Sequence, residues 1–243
     1  MTITSASTGI NAANQGITAA SDDATVTVTN YANISSGATA NGSTLAGIIA
    51  GFSGTFGLVS AHANTSVNGT VLVDNFGNIT AAKSYGIDAY NWGNGNVTVI
   101  EEAGTSVQAG TSTNAAIGIA AFGLGGQLGQ VATGDVAVTV GSNATVTAVS
   151  AASGSGFGIE AYSYDVGNVS VTTGDNDVVT SASIGIQVID AATSISSVYS
   201  VNVNVGADTI QANSGAGINA GYTPGGASSI SNNVHGNVRA CDQ

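Results

Sequence analysis

The sequence predicts an all-β fold, a single-stranded parallel β-helix (β-solenoid) in which the chain winds through about seven triangular coils. The first observation behind this prediction is the phrase Gly-Ile-x-Ala, which recurs along the 243-residue chain. Its copies begin at Gly47, Gly86, Gly118, Gly158 and Gly217, and a variant that ends in Val188 begins at Gly185. Successive copies lie 39, 32, 40, 27 and 32 residues apart, so the predicted coil has 27–40 residues. Units of this length bury their apolar faces by stacking on one another.

The second observation is that two further phrases lie between successive copies in a fixed order. A Val-x-Val phrase comes first, at residues 71–73, 97–99, 136–138, 169–171 and 201–203, and an Ile/Val-x-small phrase comes next, at residues 79–81, 107–109, 146–148, 179–181 and 210–212. Each phrase alternates as a strand with one buried face does, so every coil has three short strands. Equivalent strands of successive coils should pair in parallel. The interior column of the Gly-Ile-x-Ala strand is then predicted to be Ile48, Ile87, Ile119, Ile159, Ile186 and Ile218.

The third observation is that no stretch of the chain keeps a helical period. Because the repeat runs nearly from end to end, we predict one β-helix domain over residues 1–243. The phrases that begin at Gly9 and Gly16 are interpreted as degenerate opening copies, so residues 1–20 are predicted to form a degenerate first coil. Residues 232–243 are predicted to form an irregular tail.

The charge balance excludes several classes of partner. Two basic residues, Lys83 and Arg239, stand against fourteen acidic ones, and the net charge is −12. Nucleic acid and anionic lipid surfaces both require clustered basic residues, so neither is expected to bind. The longest apolar run, residues 115–126, is too short to span a bilayer, and we expect no membrane insertion of this segment.

The best candidate site is a column of outward-facing side chains on the Gly-Ile-x-Ala strands. If the Ile and Ala point inward, the alternate residues point outward. These candidates are Asp88, Tyr90 and Trp92 in one coil, Phe122 in the next, and Glu160, Tyr162 and Tyr164 in the third. Aromatic faces beside carboxylates suit sugar rings, so a surface glycan or a protein ligand is expected there. The competing interpretation is that the aromatic rings stack coil on coil and only stabilise the rod.

The acidic members of this column suggest an alternative function. Asp88 and Glu160 should lie two coils apart, roughly 9 to 10 Å, near the upper limit for the carboxyl pair of an inverting glycosidase. The intervening coil offers Ala120 rather than a third acid. We therefore interpret both carboxylates as solvated charges, as we do for Glu101 and Glu102, and keep a polysaccharide-active enzyme as an alternative to the non-enzymatic function predicted below.

No metal site and no cofactor are expected. The turn at residues 174–177 could offer oxygens to Ca²⁺, but it lacks the repeated motif of calcium β-rolls and is interpreted as an Asx-rich turn. His62 and His235 have no partners at the spacing of zinc ligands. The single cysteine, Cys241, cannot form an internal disulfide.

A longer phrase, Gly-Ile-x-Ala-Tyr followed by Gly-Asn-Val-x-Val, occurs at residues 86–99 and again at 158–171. On this phrase the chain resembles, over roughly residues 5–230, the β-helical passenger region of bacterial type V autotransporters. The resemblance implies a right-handed helix, secretion, and display at the outer membrane for adhesion, for aggregation or as a stalk. The signal peptide and translocator barrel of the family are not recognised in the sequence, so we expect a passenger fragment.

The ends of the predicted rod suggest self-association. A solenoid exposes an unpaired strand edge at each end unless a cap covers it. No cap is recognised in residues 1–20, so we expect concentration-dependent, end-to-end association through the N-terminal edge. The predicted function is a non-enzymatic secreted or cell-surface module in adhesion, or a structural stalk. A self-assembling filament subunit is a further alternative.

Overall fold

In the computed structural model the chain forms a right-handed parallel β-helix of about seven coils, which confirms the predicted fold. The structure describes residues 1–6, 8–21, 25–37, 45–52, 63–110, 116–149, 156–192, 199–222 and 229–240. Within these ranges the strands form three parallel sheets, each built from one strand of every coil. The described residues contain no helix long and apolar enough to cross a membrane.

The three sheets correspond to the three sequence phrases. The valine sheet contains β1 (Thr2–Thr4), β4 (Val26–Asn30), β7 (Val71–Asn75), β10 (Val97–Glu101), β13 (Val136–Val140), β16 (Val169–Thr173), β19 (Ser200–Val205) and β22 (Ser229–Val234). The short sheet contains β2 (Ile10–Ala12), β5 (Ile34–Ser36), β8 (Ile79–Ala81), β11 (Ser106–Ala109), β14 (Thr145–Ala148), β17 (Val178–Ser181), β20 (Thr209–Ala212) and β23 (Asn237–Ala240). The glycine sheet contains β3 (Ile17–Ser21), β6 (Ala46–Phe52), β9 (Tyr85–Asn91), β12 (Ala116–Gly123), β15 (Gly156–Ser163), β18 (Ile184–Asp190) and β21 (Ile218–Tyr222). A 3-10 turn spans Gln127–Gly129.

The core is a set of columns in which like residues stack on like. The predicted isoleucine column is confirmed, because each isoleucine pairs in register with that of the next coil, from Ile48 through Ile87, Ile119, Ile159 and Ile186 to Ile218. The valines of the valine sheet from β4 to β19 form further columns and are almost completely buried. Coils stacked about 4.8 Å apart leave no gap between these branched side chains.

The ends of the described chain differ from the prediction. The phrase that begins at Gly9 does not join the glycine sheet, because Ile10 and Ala12 lie in β2 of the short sheet and pair with Ile34 and Ser36. Both phrases alternate an apolar with a small residue, so the sequence pattern alone did not separate them. The irregular tail expected from residue 232 is likewise corrected. The valine sheet and the short sheet continue through β22 and β23 to residue 240.

The glycine of Gly-Ile-x-Ala is required because it faces the interior at a point where the backbones are closest. A Cβ atom on Gly86 would lie 2.2 Å from Cγ1 of Val107 and 2.5 Å from the carbonyl oxygen of Gly118. A Cβ atom on Gly118 would likewise lie 2.5 Å from Cγ1 of Val146 and 2.5 Å from the carbonyl oxygen of Gly158. The glycine and the isoleucine that follows it therefore both face inward, and the alternation of sides is interrupted at this point.

One acidic residue lies inside the helix instead of at a solvated corner. Glu101 is fully buried at the end of β10, so the sequence expectation for it is wrong. The amide of Asn75 donates hydrogen bonds to both carboxylate oxygens, at 3.0 and 2.8 Å, and the hydroxyl of Thr105 donates another. The cause is the alternation Val97, x, Val99, x, Glu101, which points residue 101 inward. Burial raises the pKa of Glu101 to about 8, although the bonds from Thr105 and Asn75 lower it.

Candidate ligand-binding groove

The outer face of the glycine sheet carries an open groove of about 740 Å³. All seven candidate residues line it: Asp88, Tyr90, Trp92, Phe122, Glu160, Tyr162 and Tyr164. They come from the strands β9, β12 and β15 and from the residues directly after β9 and β15. The structure thus brings three consecutive coils together around one cavity, as the alternation of sides requires.

Strand register places these side chains in two parallel columns. The aromatic column runs from Tyr90 through Phe122 to Tyr162, which are direct register partners. The acidic column beside it runs from Asp88 through Ala120 to Glu160. Ala120, which carries only a methyl group and is fully buried, lies between the two carboxyl groups.

The two carboxyl groups are more buried than the sequence suggested. Glu160 is only 8% exposed and Asp88 is partly buried, so the expectation of fully solvated charges is corrected. The large side chains on either side of the acidic column, such as Tyr85 and Tyr162, line the same groove and keep water from the carboxyl groups. Glu160 accepts a long hydrogen bond of 3.4 Å from the amide of Gln187 on the next coil.

This burial changes the acidity of both groups. Loss of hydration raises the pKa of Asp88 to about 7. Loss of hydration, together with the negative charge of Asp88, raises the pKa of Glu160 to about 7 as well. Near neutral pH, therefore, one carboxyl group of the pair can be neutral while the other is ionised.

The groove aromatics do not form a coil-to-coil ring stack like the one seen elsewhere on the rod. Tyr31 and Phe76, on successive coils of the valine sheet's corner, are stacked with ring centroids 4.7 Å apart. In the groove the ring contact joins Tyr162 to Tyr164 within one coil, at 5.1 Å and a tilt of 53°. The aromatic rings that line the groove are thus not stacked coil on coil, which weakens the interpretation that they only stabilise the rod.

At one end of the groove, a buried carboxyl group links the corners of two successive coils. Asp165 is fully buried, and its Oδ1 accepts a 2.7 Å hydrogen bond from the backbone N–H of Gly126 in the preceding coil. Its own N–H donates to the hydroxyl of Ser163. The neighbouring Tyr164 donates its N–H to the carbonyl of Gly123 at 2.8 Å. These bonds join the corners after β12 and β15 and hold the ring of Tyr164 at the rim.

Sequence reasoning missed several residues of the lining. Tyr85 and Ile117 line the groove although strict alternation from the isoleucines would place them inside. The interruption at the glycine reverses their side, and the signal for it was the glycine itself. Ile49 and Thr18, from the two coils before β9, extend the lining and follow the alternation correctly.

The turn at residues 174–177 has the hydrogen bonds of an Asx-rich turn. Asp177 accepts hydrogen bonds from the N–H of Ala144 at 2.8 Å and of Gly174 at 2.9 Å. Over the ranges that the structure describes, no group of three His, Cys, Asp or Glu residues is placed to hold a metal ion. His62 and Cys241 lie outside those ranges.

Comparison with protein families, with curated protein sequences and with solved structures found no match for this chain. The class of protein is therefore defined by the fold, a right-handed parallel β-helix with an aromatic and acidic groove on one sheet. Its function has to be argued from the chemistry of that groove.

Proposed function

We propose that this chain is a glycan-binding β-helix that acts in adhesion, as a non-enzymatic module of a secreted or surface-displayed bacterial protein. The observation that carries the proposal is the groove of about 740 Å³, in which six aromatic side chains and two carboxyl groups converge from three coils. Aromatic rings pack against the apolar faces of sugar rings, and carboxyl groups accept hydrogen bonds from sugar hydroxyls. The open form of the groove suits a chain of sugars that crosses the coils.

The placement at the bacterial cell surface rests on the resemblance to autotransporter passengers, which are displayed there. The charge of the chain supports a glycan over the other polymers at a cell surface. The net charge of −12 disfavours nucleic acid and anionic lipid, both of which bind through clustered Lys and Arg. A stalk function is compatible with the rod, but a stalk alone would not require the groove.

Glycoside hydrolysis is the second candidate, because Asp88 and Glu160 both have a pKa of about 7. In an inverting mechanism one protonated carboxyl group donates its proton to the glycosidic oxygen. The other, as carboxylate, removes a proton from the water that attacks the anomeric carbon. Register puts the Cα atoms of the two residues two strand spacings apart, about 9.6 Å, with Ala120 between them.

The experiment is binding of the purified protein to a glycan array, beside the double variant Tyr90→Ala, Tyr162→Ala. We expect the variant to lose about tenfold or more in affinity for any bound glycan, because two aromatic faces are removed. The matched control is Tyr31→Ala, Phe76→Ala, which removes two exposed rings from successive coils away from the groove. Circular dichroism checks that all three proteins are folded.

The outcomes separate the candidates. Binding that is lost in the groove variant and kept in the control supports the glycan-binding proposal. Release of new reducing ends from the bound glycan by the unmodified protein would favour hydrolysis. Absence of binding to every glycan, or equal losses in both variants, would overturn the proposal and leave a structural stalk.

A further inference from the structure

The charged groups of the groove are of one sign. Among the described residues that line it, the charged side chains are Asp88 and Glu160, and the lining holds neither Lys nor Arg. An acidic pair that is drawn into a partly dry cavity without a cation is unfavourable, since each carboxylate loses hydration without gaining a counter-charge. Two events relieve this cost: protonation of the carboxyl groups, or arrival of a cationic ligand.

Glu160 is the clearest sign that a partner is missing. Its side chain is more than nine-tenths buried, yet it lines the groove and its hydrogen bond to Gln187, at 3.4 Å, is at the outer limit of hydrogen-bond distances. A buried carboxylate ordinarily has short bonds from a cation or from several N–H groups. Glu101 in the interior of the same protein has such bonds, from Asn75 and Thr105.

The walls of the groove add the second half of a cation site. The faces of aromatic rings carry negative charge density and attract ammonium groups, and the attraction grows when water is excluded. Six aromatic side chains line this groove: Tyr85, Tyr90, Trp92, Phe122, Tyr162 and Tyr164. Aromatic faces together with buried carboxylates are complementary to an ammonium group and not to a second anion.

We propose that the groove selects glycans whose sugars carry an amine in its cationic form, with the ammonium group held between Asp88 and Glu160 against the aromatic column. This inference rests on the proposed glycan-binding function and names the class of its ligand. The sugar rings stack on Tyr90, Phe122 and Tyr162, while the ammonium group bridges the two carboxyl groups from the groove side, above the buried Ala120. Acidic glycans are excluded by the same pair of carboxylates.

Ligand charge and carboxyl ionisation are then linked. A cation lowers the pKa of Asp88 and of Glu160, both of which stand at about 7 in the free protein, so binding releases protons near neutral pH. Affinity for a ligand of fixed positive charge consequently rises as the pH increases through 7. Besides the pair, the groove is lined by Gln15, Thr18, Ile49, Tyr85, Tyr90, Trp92, Ile117, Phe122, Leu124, Tyr162 and Tyr164, and Gln187 contacts Glu160. Burial raises the pKa of Tyr85 to about 12 and also raises that of Tyr90, so these phenols stay neutral in this range.

The test compares three glucosamine hexasaccharides on the same backbone by titration calorimetry. One is fully N-acetylated and neutral, one has free amines, and one has N-trimethyl groups whose charge does not depend on pH. We expect the trimethylated form to bind about tenfold tighter than the neutral form at about pH 8, and this preference to shrink at about pH 5.5. Titration near pH 7 in two buffers of different ionisation enthalpy should show proton release when the trimethylated hexasaccharide binds and none when the N-acetylated hexasaccharide binds.

Variants locate the effect. The double variant Asp88→Asn, Glu160→Gln should lose the preference for the cationic form and its pH dependence while it keeps any affinity for the neutral form. The control variant Glu102→Gln removes one charge elsewhere and should change neither. If the double variant does not fold, the pH dependence and proton release of the unmodified protein still decide the question.

The possible failures are distinguishable. Equal affinity for neutral and cationic hexasaccharides overturns the inference but leaves the glycan-binding function in place. Binding to none of the three, together with no binding on the glycan array, overturns both. Tighter binding of a lysine-rich peptide than of any sugar would overturn the inference by showing that the groove takes a cationic peptide.

Discussion

At the scale of single residues, the interior of this β-helix contains a ladder of hydrogen-bonded polar side chains that ends on a titratable carboxyl group. The hydroxyl of Ser5 donates to Asn30, the amide of Asn30 donates to Asn75, and Asn75 donates to Glu101. Each coil thus satisfies the polar atom of its neighbour, as buried polar groups require. The ladder ends on a carboxyl group whose pKa is raised to about 8 by burial, so the folded protein holds a proton there at neutral pH.

We predict that Glu101→Gln stabilises the protein at alkaline pH. The pKa of Glu101 rises on folding from its ordinary value of 4.5 to about 8, so the folded state binds the extra proton. The contribution of Glu101 to stability is therefore fully present below about pH 4.5 and is lost as the pH rises through about 8. The Gln side chain has no proton to lose. The free energy of unfolding of the variant, relative to that of the unmodified protein, should therefore increase by on the order of 2 kcal/mol between about pH 5.5 and about pH 8.

Urea unfolding followed by circular dichroism at the two pH values measures this difference. Glu102→Gln is the matched control. Glu102 is only partly buried and its charge is the smallest of the influences on the pKa of Glu101, so the pH dependence should change far less than in Glu101→Gln. The same pH dependence in the Glu101→Gln variant and in the unmodified protein would show that Glu101 does not carry it.

The sequence contained part of this information. Alternation from Val97 and Val99 points residue 101 inward, whereas the charge of a glutamate argues for a solvated position. The partner that makes burial tolerable, Asn75, is 26 residues away in the chain. Such a pairing becomes visible only when the coil register is known, because coil length varies and corner positions cannot be aligned by counting.

At the scale of the strand, the glycine at the start of Gly-Ile-x-Ala controls which residues face the groove. It permits two successive inward positions, Gly86 and Ile87, so Tyr85 and Asp88 on either side of them lie on the same side of the sheet. Strict alternation was sufficient to predict the seven candidate residues, all of which follow the glycine. It was insufficient for Tyr85 and Ile117, which precede it.

Gly86→Ala should destabilise the protein by about 3 kcal/mol, the upper range for overpacking, because the new methyl group meets Val107 and the backbone of Gly118. Thermal unfolding measures the effect, and glycan binding should fall with it, since β9 carries one third of the groove. Gly9→Ala is the control, because its Cβ would be 3.6 Å from the nearest atom, the carbonyl oxygen of Asn33. Equal melting temperatures for the Gly86 variant and the unmodified protein would mean that the backbone can separate at this point without cost.

At the scale of the whole molecule, the rod ends in strands with unpaired edges. In the described part of the chain the outermost strands are β1, β2 and β3 at one end and β22, β23 and β21 at the other. Side chains that continue the core columns, such as Ile230, Val234 and Val238, are about 40% exposed there. Parallel strands of another copy can extend all three sheets without a change in register.

We therefore predict that the chain of residues 1–243, studied alone, associates end to end as its concentration rises. Light scattering from about 1 to about 100 µM should show increasing mass, and Val238→Lys should reduce it, because an edge charge opposes strand addition. Val131→Lys is the control, since Val131 is 56% exposed but does not lie on an edge strand. A constant monomer mass over this range would refute the prediction.

The register of the glycine sheet also defines a unit of evolutionary change. Tyr90, Phe122 and Tyr162 occupy equivalent positions in three consecutive coils. The chain between them is 32 residues long in one case and 40 in the other. Duplication of the gene segment for one coil would lengthen the groove by one rung, about 4.8 Å, and would leave every existing contact in register. Under the proposed function, the length of glycan that the groove can hold would therefore change in whole steps, each of which requires a single duplication and no redesign of the site.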